Sequence, residues 1–185
     1  GVVDWHSNDL QSEDEGYSTH LTAREAVKRI KERDKAKPLF LYVPFNAVHS
    51  PYHMAPGHEN DHAELKGQRR MYATMLDEMD KAIGQVIEAW EGAGLRKNSI
   101  IIFSSDNGGP APGVVTSNEP LRAGKGTLYE GGVRVCAAAV WDGHIKAGSQ
   151  HMGELIDGLL KLSRATRGEV EREAVDLSGL VRRVA

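Results

Sequence analysis

The chain has 185 residues, with 23 Lys plus Arg against 26 Asp plus Glu and a formal net charge of −3. This length fits one domain, or one domain with a short appendage, and 40% hydrophobic residues are enough to build a core. The slight acidic excess argues against a dedicated nucleic-acid binder, which needs a basic surface to neutralise phosphates. No apolar run reaches the length of about 18 residues that a membrane span needs. A single cysteine, Cys136, excludes an internal disulfide framework and a cysteine-rich zinc site.

The first third of the chain predicts one helix, one strand and one histidine-containing loop. Residues 1–18 are polar, which is typical of an irregular surface segment. Thr22 to Glu25 has the spacing of a capping box, and the apolar pattern after it predicts a helix to about Asp34. Residues 39–43 form a continuous apolar run, as expected of a strand buried on both faces of a parallel sheet. The loop after that strand, residues 46–61, contains His49, His53 and His58.

The middle of the chain predicts a long helix followed by two strands. Apolar residues recur at spacings of three, four and seven from Leu65 to Trp90, and Gly92 and Gly94 should end that helix. Residues 99–105 predict a second buried strand, and residues 133–140 predict a third. A loop rich in Gly, Pro and Asn covers residues 108–126 and separates the two strands. The order of elements indicates an α/β fold with a mixed or parallel sheet.

The last part of the chain changes in character, with a boundary predicted near residues 147–150. Apolar residues from Met152 onward predict a helix over residues 152–165 with a broad apolar face. Such a face needs a partner surface, and a second copy of the same helix would provide one. We therefore divide the chain into residues 1–148 and a helical tail, residues 149–185.

The loops that follow the two predicted parallel strands carry residues suited to metal and anion binding. In open α/β sheets ligands bind beyond the carboxyl ends of the strands, so Asp106 and Asn107 should share a sheet edge with His49. Asp106 and Asn107 offer two hard oxygen ligands for Ca²⁺ or Mg²⁺, although Asp-Asn-Gly-Gly also suits an ordinary turn. His49 is suited to act as a general acid or an anion ligand, or is simply a surface histidine.

The glycine-flanked Lys125 is the second candidate anion ligand. Glycines on both sides let the backbone approach a ligand closely, but the spacing is not that of a P-loop, and a solvated lysine is the alternative. Glu130 and Arg134 have the spacing of a structural ion pair. Cys136 lies in the third apolar segment and is predicted to be a small core residue.

Three motifs in register resemble the arylsulfatase family over residues 1–148. They are residues 38–51 (PLFLYVPFNAVHSP), residues 103–109 (FSSDNGG) and residues 118–135 (NEPLRAGKGTLYEGGVRV). The resemblance implies an alkaline-phosphatase-like α/β fold and hydrolysis of sulfate esters of aryl or sugar compounds. It also implies that Asp106 and Asn107 bind Ca²⁺, that His49 contacts the sulfate and helps to protonate the leaving oxygen, and that Lys125 binds the ester oxygens.

The chain also departs from that family. The family nucleophile is a formylglycine made within a Cys/Ser-x-Pro-x-Arg motif, which this sequence lacks because Cys136 is followed by Ala-Ala-Ala-Val. The acidic pair that completes the family's Ca²⁺ site is also missing. The chain therefore resembles the C-terminal part of a sulfatase catalytic domain and is expected to be inactive alone. By resemblance the parent enzyme is periplasmic or secreted, although no signal peptide is visible.

The tail shows a weaker resemblance of another kind. Met152 to Arg164, followed by Glu173 to Ser178, resembles a histidine-kinase dimerisation helix, without that family's phosphoacceptor motif. Two alternatives to the sulfatase interpretation stay open at this point. One is another hydrolase of the alkaline phosphatase superfamily, such as a phosphodiesterase or a phosphonate hydrolase, and the other is a non-catalytic dimerisation or signalling segment.

Overall fold

The computed structural model describes residues 5–111, 113 and 115–145. The predicted tail helix, residues 152–165, and the predicted boundary near residue 148 lie outside the described residues. The elements in chain order are β1 (His6–Ser7), β2 (Leu10–Gln11), α1 (Ser18–Glu32), α2 (Gly67–Gly92), a 3₁₀ turn (Arg96–Asn98), β3 (Ile101–Ser104), α3 (Glu130–Val133) and β4 (Ala137–Val140).

The first predicted helix is confirmed as α1, but it begins earlier than the sequence suggests. Thr22 lies inside the helix, so the proposed capping box is wrong, and the residue before the helix makes no side-chain capping bond. The buried stripe already includes Thr19 and Leu21, and continues to Ile30. Packing of this first turn against the core explains the earlier start, because tertiary burial outweighs local capping preference.

The long helix is confirmed as α2, and it packs against α1. It ends at Gly92, where the N–H of Ala93 donates to the carbonyl of Ala89. Ile30 of α1 is 2% exposed, and Met75 and Ala82 of α2 are 3% and 1% exposed, so both helices contribute buried side chains to the core. Burying Ile30 or Met75 contributes about 1.5–3 kcal/mol. The ends of both helices are joined where Arg33 Nη2 donates to the carbonyl of Ala93 at 3.1 Å.

The second and third predicted strands are confirmed as β3 and β4, but their pairing is antiparallel. Ile101 pairs with Val140, and Ser104 pairs with Ala137. Within the described residues the sheets are two antiparallel pairs, so the parallel arrangement expected from the apolar runs is wrong. The third strand is shorter than predicted because residues 130–133 form α3.

The predicted strand at residues 39–43 is the main error in the sequence-based fold. This segment forms no strand, and Phe40 and Tyr42 are 92% and 78% exposed. A strand exists through its pairing with a neighbour, and no described segment pairs with this one. The prediction that Cys136 is a buried core residue is also wrong, since the thiol is exposed just before β4 begins. No helix in the described ranges is long and apolar enough to cross a membrane.

Candidate anion and metal site

The side chain of Asn118 joins two glycine-rich segments by hydrogen bonds. They are residues 106–109, after β3, and residues 118–132, which lead into α3. The amide oxygen of Asn118 accepts the N–H of Gly109 at 3.0 Å, and its amide nitrogen donates to the carbonyls of Gly109 at 2.8 Å and Ala123 at 3.0 Å. The N–H of Gly108 donates to the carbonyl of Gly132 at 3.0 Å. These bonds place the loop after β3 and the loop around Lys125 in one hydrogen-bonded frame.

Glycine is required in this frame because backbone packs directly on backbone. A Cβ on Gly108 would overlap the carbonyl of Gly131, and a Cβ on Gly124 would overlap the carbonyl of Gly109. Neither obstacle is the flexible end of a side chain, so any larger residue would push the two loops apart. The glycines therefore set how closely the two loops approach each other.

Lys125 projects from this frame into an open cleft. Its backbone N–H donates to the carbonyl of Gly109 at 3.1 Å, which fixes the position of the residue. The cleft has a volume of about 440 Å³, and its walls include Lys125, Tyr52 and Gln68. Lys125 is exposed and makes no ion pair with any carboxylate of the described residues. An ammonium group without a partner carboxylate in a cleft is suited to binding an anion.

His49 lies in a tight turn whose contacts fix its tautomer. Its N–H donates to the carbonyl of Asn46 at 2.9 Å, and the ring atom Nδ1 lies 2.7 Å from the carbonyl of Ser50. A carbonyl only accepts, so Nδ1 carries a proton and Nε2 is the atom left for a ligand. The expected shared sheet edge is wrong, because no strand precedes His49. Tyr52, three residues later, nevertheless reaches the Lys125 cleft.

Asp106 and Asn107 follow β3 closely, as predicted. The N–H of Asn107 donates to Oδ1 of Asp106 at 2.9 Å, and Nδ2 of Asn107 donates to the carbonyl of Gly108 at 3.1 Å. These bonds leave Oδ2 of Asp106 and the amide oxygen of Asn107 as available oxygens. Hard oxygens of this kind fit Ca²⁺, but two ligands are well short of the roughly six to eight that the ion takes.

The predicted ion pair between Glu130 and Arg134 is present at 3.3 Å, with both side chains more than half exposed. Exposed pairs of this kind contribute little stability. Nearby, the guanidinium of Arg122 lies 3.7 Å from the ring centre of Tyr129. Both contacts support the loop and leave Lys125 as the cation that faces the cleft.

Sequence reasoning missed two features of this region. Asn118 lies inside a quoted motif, yet nothing in its local spacing indicates that it joins two loops. The second feature is a polar cluster between the loop before α2 and α2 itself. In the sequence His58 is one of three histidines of its loop, and its His-x-x-Asp spacing to Asp61 is the one local signal of the cluster. The cluster members are His20, His58, Asp61, His62, Asp77, Glu78 and Lys81.

Comparison with known proteins shows which family has these motifs. Residues 2–163 match the family model described as Sulfatase. Arylsulfatase J of Mus musculus is 47% identical over 120 residues, which is 64% of this chain and 20% of that protein. N-acetylgalactosamine-6-sulfatase of Homo sapiens is 33% identical over 144 residues, covering 75% of this chain and 27% of that protein. The chain thus spans about a quarter or less of these relatives.

Solved structures agree with the sequence relatives. The crystal structure of Ps i-CgsB in complex with k-i-k-neocarrahexaose matches with a TM-score of 0.71 and 31% identity, over 89% of this chain and 37% of that one. A second crystal structure of Ps i-CgsB matches with a TM-score of 0.68 and 34% identity, over 76% of this chain and 32% of that one. These matches confirm the α/β, alkaline-phosphatase-like fold class for a partial domain.

The family match also concerns the predicted boundary between residues 1–148 and the tail. It extends to residue 163 and so overlaps the segment set apart as the tail, residues 149–185. The division at residue 148 and the histidine-kinase resemblance of the tail stay predictions. Because the family model covers most of the chain, this chain belongs to the sulfatase family and represents part of its catalytic domain.

Proposed function

We propose that this chain is the part of a sulfuric ester hydrolase that binds the sulfate group and one side of a Ca²⁺ ion. One observation carries the proposal: the backbone of Lys125 is bonded to Gly109, two residues beyond the oxygen pair of Asp106 and Asn107. A cation and two hard oxygen ligands therefore belong to one hydrogen-bonded frame, and the cation lines the cleft. Such a frame suits a reaction in which negative charge develops on oxygen.

Each residue has a distinct role in this proposal. Lys125 binds the anionic oxygens of the sulfate ester and holds the group in the cleft. His49, with Nδ1 held by Ser50, uses Nε2 to donate a proton to the leaving oxygen when the ring is protonated. Asp106 and Asn107 would hold the Ca²⁺ ion, which would supply positive charge to the reaction. The activated nucleophile, a formylglycine in this family, is not encoded in this sequence.

The substrate class follows from the anion that the site accepts and from the names of the relatives. The relatives reported above are an arylsulfatase and an N-acetylgalactosamine-6-sulfatase, which supports sulfate esters of aryl or sugar compounds. They favour sulfate esters over the phosphodiesters or phosphonates hydrolysed elsewhere in the superfamily. The proposed partner is thus a small sulfated compound.

A chimera tests this proposal directly. The segment of mouse arylsulfatase J that aligns with this chain is replaced by the matching residues of this chain, which are 47% identical over 120 residues. The chimera then contains a complete site, with Lys125 and His49 supplied by this chain. We expect it to hydrolyse a chromogenic aryl sulfate in the presence of Ca²⁺.

Variants of the chimera separate the site residues from the scaffold. Lys125→Ala and His49→Ala should each lower kcat/KM by about 100-fold or more, because removing one group that stabilises developing charge has that effect. Lys97→Ala is the matched control, since Lys97 is an exposed lysine in the 3₁₀ turn and should leave the rate unchanged. A folded, active chimera that tolerates Lys125→Ala would refute the proposed role of Lys125.

A further inference from the structure

A buried histidine and two carboxylates converge where the loop before α2 meets that helix. His58 is 2% exposed, Asp61 lies three residues later in the same loop, and Asp77 is on α2. One ligand atom from each of the three lies within 4.8 Å of the others. None of the three belongs to the sulfate and Ca²⁺ site proposed above.

The Nε2 side of the His58 ring is held by Glu78. Nε2 lies 2.6 Å from Oε2 of Glu78, and Oε1 of Glu78 lies 2.8 Å from Nε2 of His20. A carboxylate oxygen accepts hydrogen bonds, so in the 2.6 Å contact the donor is Nε2 of His58. Lys81 Nζ lies 3.4 Å from Oε2 of Glu78 and offsets the charge of that carboxylate. Its 3.0 Å distance to Nε2 of His58 is not a hydrogen bond in this tautomer, because both groups are then donors.

The Nδ1 side of the same ring has no hydrogen-bond partner among the described residues, although the atom is buried. Oδ2 of Asp61 lies 2.7 Å away, but its direction does not fit a hydrogen bond. In the neutral tautomer with its proton on Nε2, the lone pair of Nδ1 faces this carboxylate oxygen, and two electron-rich atoms at 2.7 Å repel each other unless a proton or a metal ion lies between them. A buried polar atom without a hydrogen-bond partner lowers the stability of the fold. A cation bound by Nδ1 of His58 and Oδ2 of Asp61 would remove that cost.

We propose that His58 Nδ1, Asp61 and Asp77 bind a divalent transition-metal ion of the zinc class. An imidazole nitrogen with two carboxylate oxygens is a donor set that Zn²⁺ accepts with a water as the fourth ligand. Ca²⁺ prefers all-oxygen ligands, so the imidazole nitrogen selects against it. The bond from Nε2 to Glu78 has the form of the carboxylate–histidine contact that orients metal-binding histidines.

The position of the ion suggests a structural role. Asp77 is also held by Nε2 of His62 at 2.6 Å, and this bond raises the pKa of His62. An ion shared by Asp77, His58 and Asp61 would join the loop to the middle of α2. The same loop contributes Tyr52 to the cleft of Lys125. Metal binding at the cluster would therefore stabilise one wall of that cleft.

Calorimetry on the full chain tests this site without reference to sulfatase activity. The metal-stripped chain is titrated with Zn²⁺ in the presence of excess Ca²⁺, and Co²⁺ is then used as a probe whose visible absorption reports its coordination. We expect one equivalent of Zn²⁺ to bind, Ca²⁺ not to displace it, and the thermal midpoint to rise on binding.

Three variants decide the assignment. Asp61→Asn removes a ligand from a half-exposed position, so folding should be preserved, and binding should weaken by at least about 100-fold. His58→Gln should do the same, with circular dichroism as a check on folding. His53→Gln is the matched control, because His53 is in the same loop and bonds only to the carbonyl of Pro51 among polar groups. Lack of saturable Zn²⁺ binding, binding unchanged by Asp61→Asn, or equal weakening by His53→Gln would overturn the proposal.

Discussion

Replacing Asn118 with alanine should separate the two loops that form the proposed site. The side chain makes three hydrogen bonds, two to Gly109 and one to Ala123, with lengths of 2.8–3.0 Å. A neutral hydrogen bond contributes a net 0.5–1.5 kcal/mol or so, and leaving its half-buried partners unsatisfied adds to the loss. We therefore expect Asn118→Ala to lower the free energy of unfolding by about 2–4 kcal/mol.

Urea denaturation followed by circular dichroism measures this loss, and two further variants calibrate it. Asn118→Asp keeps the acceptor for the N–H of Gly109 but turns a carboxylate oxygen toward the carbonyls of Gly109 and Ala123, so its loss should be at least as large as that of Asn118→Ala. Ser117→Ala removes one long, exposed hydrogen bond, in which the N–H of Glu119 donates to the Ser117 hydroxyl oxygen at 3.3 Å, and should cost less than about 0.5 kcal/mol. If Asn118→Ala changed stability no more than Ser117→Ala, the frame described for the two loops would be wrong.

The remaining predictions concern the metal, the tail and the core. Ca²⁺ binding to the isolated chain should be weak or undetectable by calorimetry, because Asp106 and Asn107 supply two ligands only, and tight stoichiometric binding would reveal further ligands. Deleting residues 149–185 should change the oligomeric state or solubility, as measured by light scattering, and an unchanged state would exclude self-association through the tail. Ile30→Ala and Met75→Ala should each destabilise the chain by about 2–5 kcal/mol in urea denaturation, because both side chains are almost fully buried.

The sequence predicted the helices well because their apolar stripes are long. The pattern from Leu65 to Trp90 repeats over many turns and specifies α2 almost to the residue. The start of α1 could not be read in the same way, since burial of Thr19 and Leu21 is a tertiary effect. Local spacing favoured Thr22 as a cap, and packing outweighed that preference.

The strands were harder because a short apolar run does not specify its partners. Residues 39–43 and residues 101–104 look alike as sequence, yet among the residues that the structure describes only the second segment has a paired neighbour, β4. A strand forms only where a second segment lies beside it to share hydrogen bonds. The apolar pattern and composition of one segment do not specify that neighbour. The burial of Cys136 was mispredicted for the same reason, because its apolar neighbours suggest an interior strand.

The candidate site shows the same division between local and long-range information. The motifs predicted which residues are candidates for the site, because each motif is a short continuous segment. These candidates are His49, Asp106, Asn107 and Lys125. The role of Asn118 depends on contacts nine residues back and five residues forward, which no motif specifies. The orientation of His58 Nδ1 depends on Glu78, which is 20 residues away on α2. Contacts of this kind only become visible in three dimensions.

The most direct measurement is turnover of a chromogenic aryl sulfate by the purified 185-residue chain in the presence of Ca²⁺. The account assigns sulfate-binding and metal-binding residues to this sequence but no activated nucleophile, since exposed Cys136 lies outside the formylglycine motif. Without a nucleophile in line with the leaving oxygen, the barrier stays nearly intact. We therefore expect no hydrolysis above the rate in buffer. Sustained turnover that Lys125→Ala abolishes would contradict the account, because it would show that this chain contains a nucleophile of its own.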